Sequence, residues 1–280
     1  MRGCSCRGTA GLAHVSCLAE QAKILMAEAE ENNLDIKALN ARWERWHTCS
    51  LCEQDYHGVV RCALGWACWK TYLGRPETNG VRMSAMRQLG NGLSAAKHHE
   101  DELMVVEAEL AMERRLGAPA EHILITQGNL AVTYDNLGRY HESLSLKRDV
   151  YSGLLKLYGE EHEHTLRAAV NYASNLVQLQ RFEEAKSLLR RTLPVARRVT
   201  RDSSDLSIRM RTLYAQSLYE DDAATLDGLR EAVTTLEDAV QIARRVLGGE
   251  HPLTTGIESD LRKARAALAA RETPSTSNDA

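Results

Sequence analysis

The sequence predicts a mainly α chain: a solenoid of stacked helical hairpins preceded by a small cysteine-rich module. Three observations carry this. A glycine-centred phrase recurs along the chain, at Leu73-Gly74, Leu116-Gly117, Tyr158-Gly159 and Leu247-Gly248. Its glycines lie 43, 42 and 89 residues apart, the last interval being two periods with a short insertion. Self-similarity at this period is the mark of stacked supersecondary units, each burying its apolar face against the next. All seven cysteines lie within the first 68 residues, which sets that segment apart. Finally, 44% apolar content supports a core, while one Phe and five Pro in 280 residues disfavour an all-β or Pro-rich chain.

Within the array each unit has the same grammar. A first helix places a small residue beside large ones, as in Asn129-Leu130-Ala131 with Tyr134. A turn follows at Gly138-Arg139-Tyr140, and a second helix carries Glu142-Ser143-Leu144. The next unit repeats it with Asn171-Tyr172-Ala173, Arg181-Phe182 and Glu184-Ala185, and a third with Leu213-Tyr214-Ala215 and Glu231-Ala232. Small side chains at Ala131, Ser143, Ala173, Ala185, Ala215 and Ala232 let helices approach closely, and Leu, Tyr and Phe at helical spacing fill the space between hairpins.

These residues resemble the tetratricopeptide repeat, in the variety of about 42 residues found in kinesin light chains, whose pattern is L-G-x-x-H-P-x-T followed by N-L-A-x-x-Y-x-x-x-G-x-Y-x-E-A. The likeness is close over 116–199 and good at 247–254. It is weaker over 200–246, where Asp202-Ser203-Ser204 replaces the glycine phrase and residues 221–225 lengthen the inter-helix turn. It is weakest over 73–115, where Gly90 and Glu102 stand at the small-residue positions. The resemblance implies a right-handed α-solenoid over 73–270, with a degenerate first repeat, three recognisable repeats and a capping helix from Gly248 to about Ala270. Residues 271–280 read as a polar, disordered tail. It also implies that the first helices face inward and hold a partner protein or peptide in a concave groove. Asn129, Asn136, Asn171, Asn175 and Gln178 on those helices offer both donors and acceptors to a peptide backbone, and Arg209 and Arg211 add charge for an acidic ligand. The alternative is that these Asn residues bond between neighbouring helices of the array.

In the cysteine-rich module, residues 1–72, six candidate ligands form three pairs: Cys4 with Cys6, His14 with Cys17, and Cys49 with Cys52. Short-spaced Cys/His pairs in a reducing compartment favour zinc over disulfides, and two pairs complete a tetrahedral structural site. The spacing resembles the last three ligand pairs of a RING-CH (variant RING) zinc finger. Carried over, Cys4, Cys6, Cys49 and Cys52 form one complete four-thiolate site, and His14 and Cys17 form half of another. The remaining pair of the family pattern falls upstream of Cys4, where this sequence has only Met1-Arg2-Gly3. Three expectations stand side by side: a longer protein, a module reduced to one zinc, or a contribution from Cys62, Cys68 or His57. The bland reading of Cys62 and Cys68 is core thiols on an apolar, Trp-rich helix. RING-CH fingers belong to ubiquitin ligases, so the resemblance implies a second function: a ligase that engages a ubiquitin-conjugating enzyme while the repeats recruit substrate.

Other chemistry finds no footing. A net charge of −3, with nine acidic and nine basic residues in the first 78, leaves no basic stripe for nucleic acid. The run Val59–Trp69 is too short and interrupted to span a bilayer. No Gly-rich phosphate loop, H-E-x-x-H or G-x-S-x-G is present. His98, His99, His162, His164 and His251 fall at turns and helix ends, where surface or capping roles are expected. The opening Met-Arg-Gly-Cys-Ser-Cys lacks an apolar signal-peptide core, so the expected location is cytoplasmic.

Overall fold

The computed structural model describes Gly3, Cys4, Cys6, residues 14–200 and residues 204–272. These residues form twelve α-helices and no strand. The chain divides into two compact units, residues 1–139 and 140–280.

In the first unit, α1 (Val15–Glu31) and α2 (Ile36–Trp43) lead through a 3₁₀ turn at Glu44–Trp46 to α3 (Gly58–Tyr72). Then come α4 (Gly80–Ala95), α5 (His99–Arg115) and α6 (Ala120–Asn136), each packed on the one before, with α1 lying against α2 and α3. Side-chain oxygens start two of these helices: Asp35 accepts from the Ala38 N–H, and Asn79 accepts from the Val81 and Arg82 N–H groups. The tightest join is α3 on α4. A Cβ at Gly65 would stand 2.7 Å from the Gln88 carbonyl oxygen, and one at Gly92 would stand 2.9 Å from that of Arg61. Each glycine thus lets the other helix's backbone in. The expected domain boundary at residue 72 therefore separates two packed helices, because α3 belongs with α4 as much as with the cysteine pairs.

A core of Ala22, Trp46, Cys68, Tyr72 and Ala85 ties α1 to α3 and α4, with Trp43 and Trp46 set against the Tyr72 ring at 5.7 and 6.0 Å. Beside it runs a charged seam. Glu102, Glu109 and Glu113 of α5 are all buried. Arg87 of α4 serves two of them, with Nη2 at 2.8 Å from Glu109 and 3.3 Å from Glu113, while Glu102 accepts from the Thr133 hydroxyl and pairs with His99.

The second unit is a regular stack: α7 (Tyr140–Tyr158), α8 (Glu163–Gln178), α9 (Phe182–Thr200), α10 (Asp205–Tyr219), α11 (Leu226–Leu247) and α12 (Pro252–Glu272). Successive helices pack together, and α10 also touches α8 and α12, so alternate helices share one side of the stack. This is the arrangement the repeat period requires. Ala173, Ala185, Ala215 and Ala232 have no exposed surface, and neither do Ala131 and Ser143, so all six expected small positions are helix contacts. The glycine phrase ends the preceding helix: Gly117, Gly159 and Gly248 take φ of 65°, 81° and 91°, which glycine adopts without a Cβ penalty. Gly74, in the weakest copy, does not. His162 caps α8 by accepting the His164 N–H, and His251 accepts from Leu253 at the start of α12, the capping roles expected of them. Residues 201–203, part of the replaced glycine phrase, lie outside the described residues; of the expected tail 271–280, Arg271 and Glu272 complete α12 and the rest lies outside the described residues.

Candidate metal centre and partner groove

Residues 47–56 fold into a tight knuckle. Thr48 and Asp55 form an antiparallel bridge, the Cys49 N–H donates to the Gln54 carbonyl, and the Glu53 N–H returns to Cys49 with Glu53 at φ 53°. Arg61 of α3 anchors the knuckle, donating to the His47 carbonyl and pairing with Asp55. The His57 N–H, just before α3, donates to the Gly3 carbonyl at 2.9 Å and so lays the N-terminal segment alongside. The consequence is one cluster: the sulfurs of Cys4, Cys6, Cys49 and Cys52 all lie within 4.8 Å of one another. Cys4 and Cys49 are buried with Tyr56, Val60 and Leu64, and Cys6 and Cys52 pack at the edge.

The donor set fits a soft, four-coordinate ion. Four thiolates at about 2.3 Å from one tetrahedral centre sit about 3.8 Å apart, and Cys6 Sγ lies 3.8 Å from Cys49 Sγ. Without a cation the thiols divide unequally. Cys49 is buried, which opposes ionisation, yet the Leu51 and Cys52 backbone N–H groups and the Cys4 and Cys52 thiols bring it down to about 6. Cys6 is pushed up to about 12 by the Cys52 and Cys4 thiols and by burial. Thiolates held this close oppose one another's charge, so a cation is their natural complement.

The other candidate ligands do not join. His14, the residue before α1, and Cys17 are both exposed, with Sγ 4.0 Å from Nδ1. Among the described residues no further donor gathers with them, so the expected second half-site remains a pair. Cys68 has no exposed surface and belongs to the Trp46 core, where burial raises its thiol pKa; it is the core thiol of the bland reading. His57 supplies its backbone to the N-terminal segment, and neither it nor Cys62 enters the cluster.

On the second unit, α8 and α10 line a cleft of about 750 Å³, continued by one of about 320 Å³. Its lining repeats. Glu163, Arg167, Asn171, Ser174 and Gln178 on α8 stand 42 residues before Asp205, Arg209, Leu213, Gln216 and Glu220 on α10, and all ten face the groove. Arg167 donates to Glu163 at 2.7 Å and Arg209 to Asp205 at 2.8 Å, each pair one helical turn apart and exposed. Val170, Leu206 and Leu253 give the groove apolar footing.

Of the expected partner-binding residues, Asn171, Gln178 and Arg209 line this groove. Asn175 does not: it is 2% exposed, turned inward from the stripe by the helix rotation between positions 174 and 175. Arg211 is likewise buried, at 4%, and cannot add charge to the groove surface. In the first unit, Asn129 lines a smaller cavity of about 130 Å³ with Arg87, Glu102 and Glu109, and Asn136 is exposed at the end of α6 outside that lining. The sequence reading missed Arg167 and Ser174; the 42-residue identity of Arg167 with Arg209 was the available signal.

No helix among the described residues is long and apolar enough to cross a membrane. Residues 122–198 match a family model described as tetratricopeptide repeat, and residues 224–253 match another with the same description. Neither match reaches the cysteine-bearing segment. No curated protein matches the chain significantly. Among solved structures, a kinesin light chain-type protein of nearly identical TPR-like repeats from Podosopora anserina is 18% identical at a TM-score of 0.55, over 84% of this chain and 98% of that one. BtubC (BKLC) from P. vanneervenii is 13% identical at a TM-score of 0.54, over 96% of this chain and 97% of that one. At these identities the likeness is one of fold. The chain is a helical protein carrying tetratricopeptide repeats over 122–198 and 224–253.

Proposed function

We propose that this chain is a protein-interaction scaffold: the groove on α8 and α10 holds an extended segment of a partner protein, and a structural zinc bound by Cys4, Cys6, Cys49 and Cys52 organises the N-terminal end. The observation that carries the groove reading is the duplicated stripe. Packing requires the apolar faces of the repeats to recur, but it places no demand on the open side. Recurrence there of the acid and Arg pair, Glu163 with Arg167 and Asp205 with Arg209, at one spacing supports a surface kept for an extended ligand.

The chemistry suits a backbone with acidic side chains. Asn171, Ser174, Gln178 and Gln216 supply donors and acceptors along the groove. Arg167 and Arg209 are each steered by an exposed acid four residues earlier. Exposed pairs of this kind contribute about 0–1 kcal/mol, so a partner carboxylate can recruit either guanidinium at little cost. Val170, Leu206, Leu213 and Leu253 bury an apolar side chain of the partner.

The test is selection of peptides from a random display library on the full chain, followed by affinity measurement on the double variant Asn171→Ala/Arg209→Ala. The expected result is at least tenfold weaker binding, about 1.4 kcal/mol, with unchanged helicity. Peptides that bind both proteins equally would place the site elsewhere. For the zinc, elemental analysis of reduced protein should return about one ion per chain, as a closed four-thiolate site requires.

A further inference from the structure

The zinc reading leaves open what becomes of a thiolate site at the edge of a core. We infer that the Cys4/Cys6/Cys49/Cys52 cluster is a reversible thiol switch that responds to hydrogen peroxide by forming a disulfide and releasing its metal; this rests on the metal reading above.

Three features point to it. Cys6 and Cys52 are only partly covered, so a small oxidant reaches sulfur without unfolding. Cys6 Sγ already lies 3.8 Å from Cys49 Sγ, and a disulfide of about 2.05 Å needs under about 2 Å of closure. The ligands also come from two separate pieces of chain, a short N-terminal segment and the knuckle. The Gly3 carbonyl also accepts from the His57 N–H, which holds the first piece beside the second. Oxidation therefore exchanges the ion's four-way hold on the two pieces for a single covalent bond between Cys6 and Cys49, leaving Cys4 and Cys52 without a closed site.

The step balances. As a ligand of the ion Cys6 is a thiolate; it attacks peroxide, the O–O bond breaks, and a sulfenic acid and hydroxide result. The Cys49 thiolate then attacks the sulfenic sulfur, the S–S bond forms and a second hydroxide leaves. Two protons from solvent convert both hydroxides to water. The two cysteine sulfurs lose two electrons and peroxide gains them. Cys4 and Cys52, a pair too few to close a tetrahedral site, release the ion and take up protons.

The experiment uses the full chain, reduced and loaded with zinc, whose content is measured first. Absence of zinc at this stage sinks the metal reading and the switch with it. With zinc present, hydrogen peroxide is added in the presence of a chromogenic zinc indicator, and the products are mapped by mass spectrometry. The switch predicts release of about one zinc per disulfide formed within the four cysteines, and rebinding after dithiothreitol and zinc. The double variant Cys17→Ser/Cys62→Ser should release zinc at the parent rate. Zinc retained while peroxide is consumed, release accompanied by sulfinic or sulfonic acids, or release abolished in that double variant would each overturn the switch while leaving the zinc reading in place.

Discussion

The two compact units reach a helical fold by different means. In residues 140–272, contacts recur: alanines at matching positions close the hairpins, and the open side carries an acid with an Arg four residues later on both α8 and α10, 42 residues apart. Among the described residues before Leu116, the helix contacts follow no such pattern. Two glycines bring α3 onto α4, a single arginine serves two buried glutamates, and four thiols from two chain segments meet at one point. A periodic unit spreads its stability over many similar contacts, so single losses are small. An irregular one concentrates it in a few groups, and removing one of those is costly.

That contrast can be broken first at the thiols. A structural zinc contributes on the order of 10 kcal/mol to the folding of a small module. Chelation should therefore loosen the knuckle and the start of α3, read as accelerated amide exchange over residues 44–64, while α8 to α11 keep their protection. Equal loss of protection in both units would deny the contrast.

Next in size is Arg87→Met. Arg87 is 39% exposed, so its removal costs less than the about 3–5 kcal/mol of a fully buried pair, yet it leaves Glu109 buried without its partner. Burial raises the Glu109 carboxyl above its usual range, Arg87 opposes this, and nearby Glu113 adds to it. A carboxyl with a raised folded pKa favours the folded state when protonated, and this contribution is lost as pH rises through the folded value. The loss caused by Arg87→Met should accordingly be larger at pH 8 than at pH 5 in denaturant titrations. A pH-independent loss would contradict this role of Glu109.

Smaller, and suited to a side-by-side test, are Gly65→Ala and Ala185→Leu. Each overpacks a helix contact, at a cost of about 1–3 kcal/mol. At Gly65 one methyl suffices, since its carbon would meet backbone at 2.7 Å. At Ala185, which has no exposed surface, a whole isobutyl group must be accommodated. A melting temperature equal to the parent's for Ala185→Leu would show that the repeat register is wrong.

How much of this was legible follows the same line. The hairpins could be read because each repeat states its pattern again, so Ala173 and Ala215 vouch for one another. The two thiol pairs could be read from Cys-x-Cys and Cys-x-x-Cys, because ligands two or three residues apart can bite one ion, while their joining in one site was what the RING-CH resemblance implied. The same resemblance set His14 and Cys17 apart as half of another site; whether further donors gather with them depends on where α1 leaves the knuckle, and among the described residues none do. Asn175 was misplaced by a single helical step: groove positions advance by four, four, three and four residues, and 175 falls on the inward side. The glycine contact of α3 with α4 and the buried glutamates of α5 lie outside any repeated phrase, so only the packed structure reveals them.

The central claim, that the duplicated stripe on α8 and α10 is the partner surface, is tested most directly by chemical-shift mapping on the full chain with a peptide selected from the display library. The account predicts perturbations at Arg167, Asn171, Ser174, Arg209 and Gln216, lost together in Asn171→Ala/Arg209→Ala. Perturbations confined to α9 and α11, with the α8 and α10 stripe silent, would contradict it.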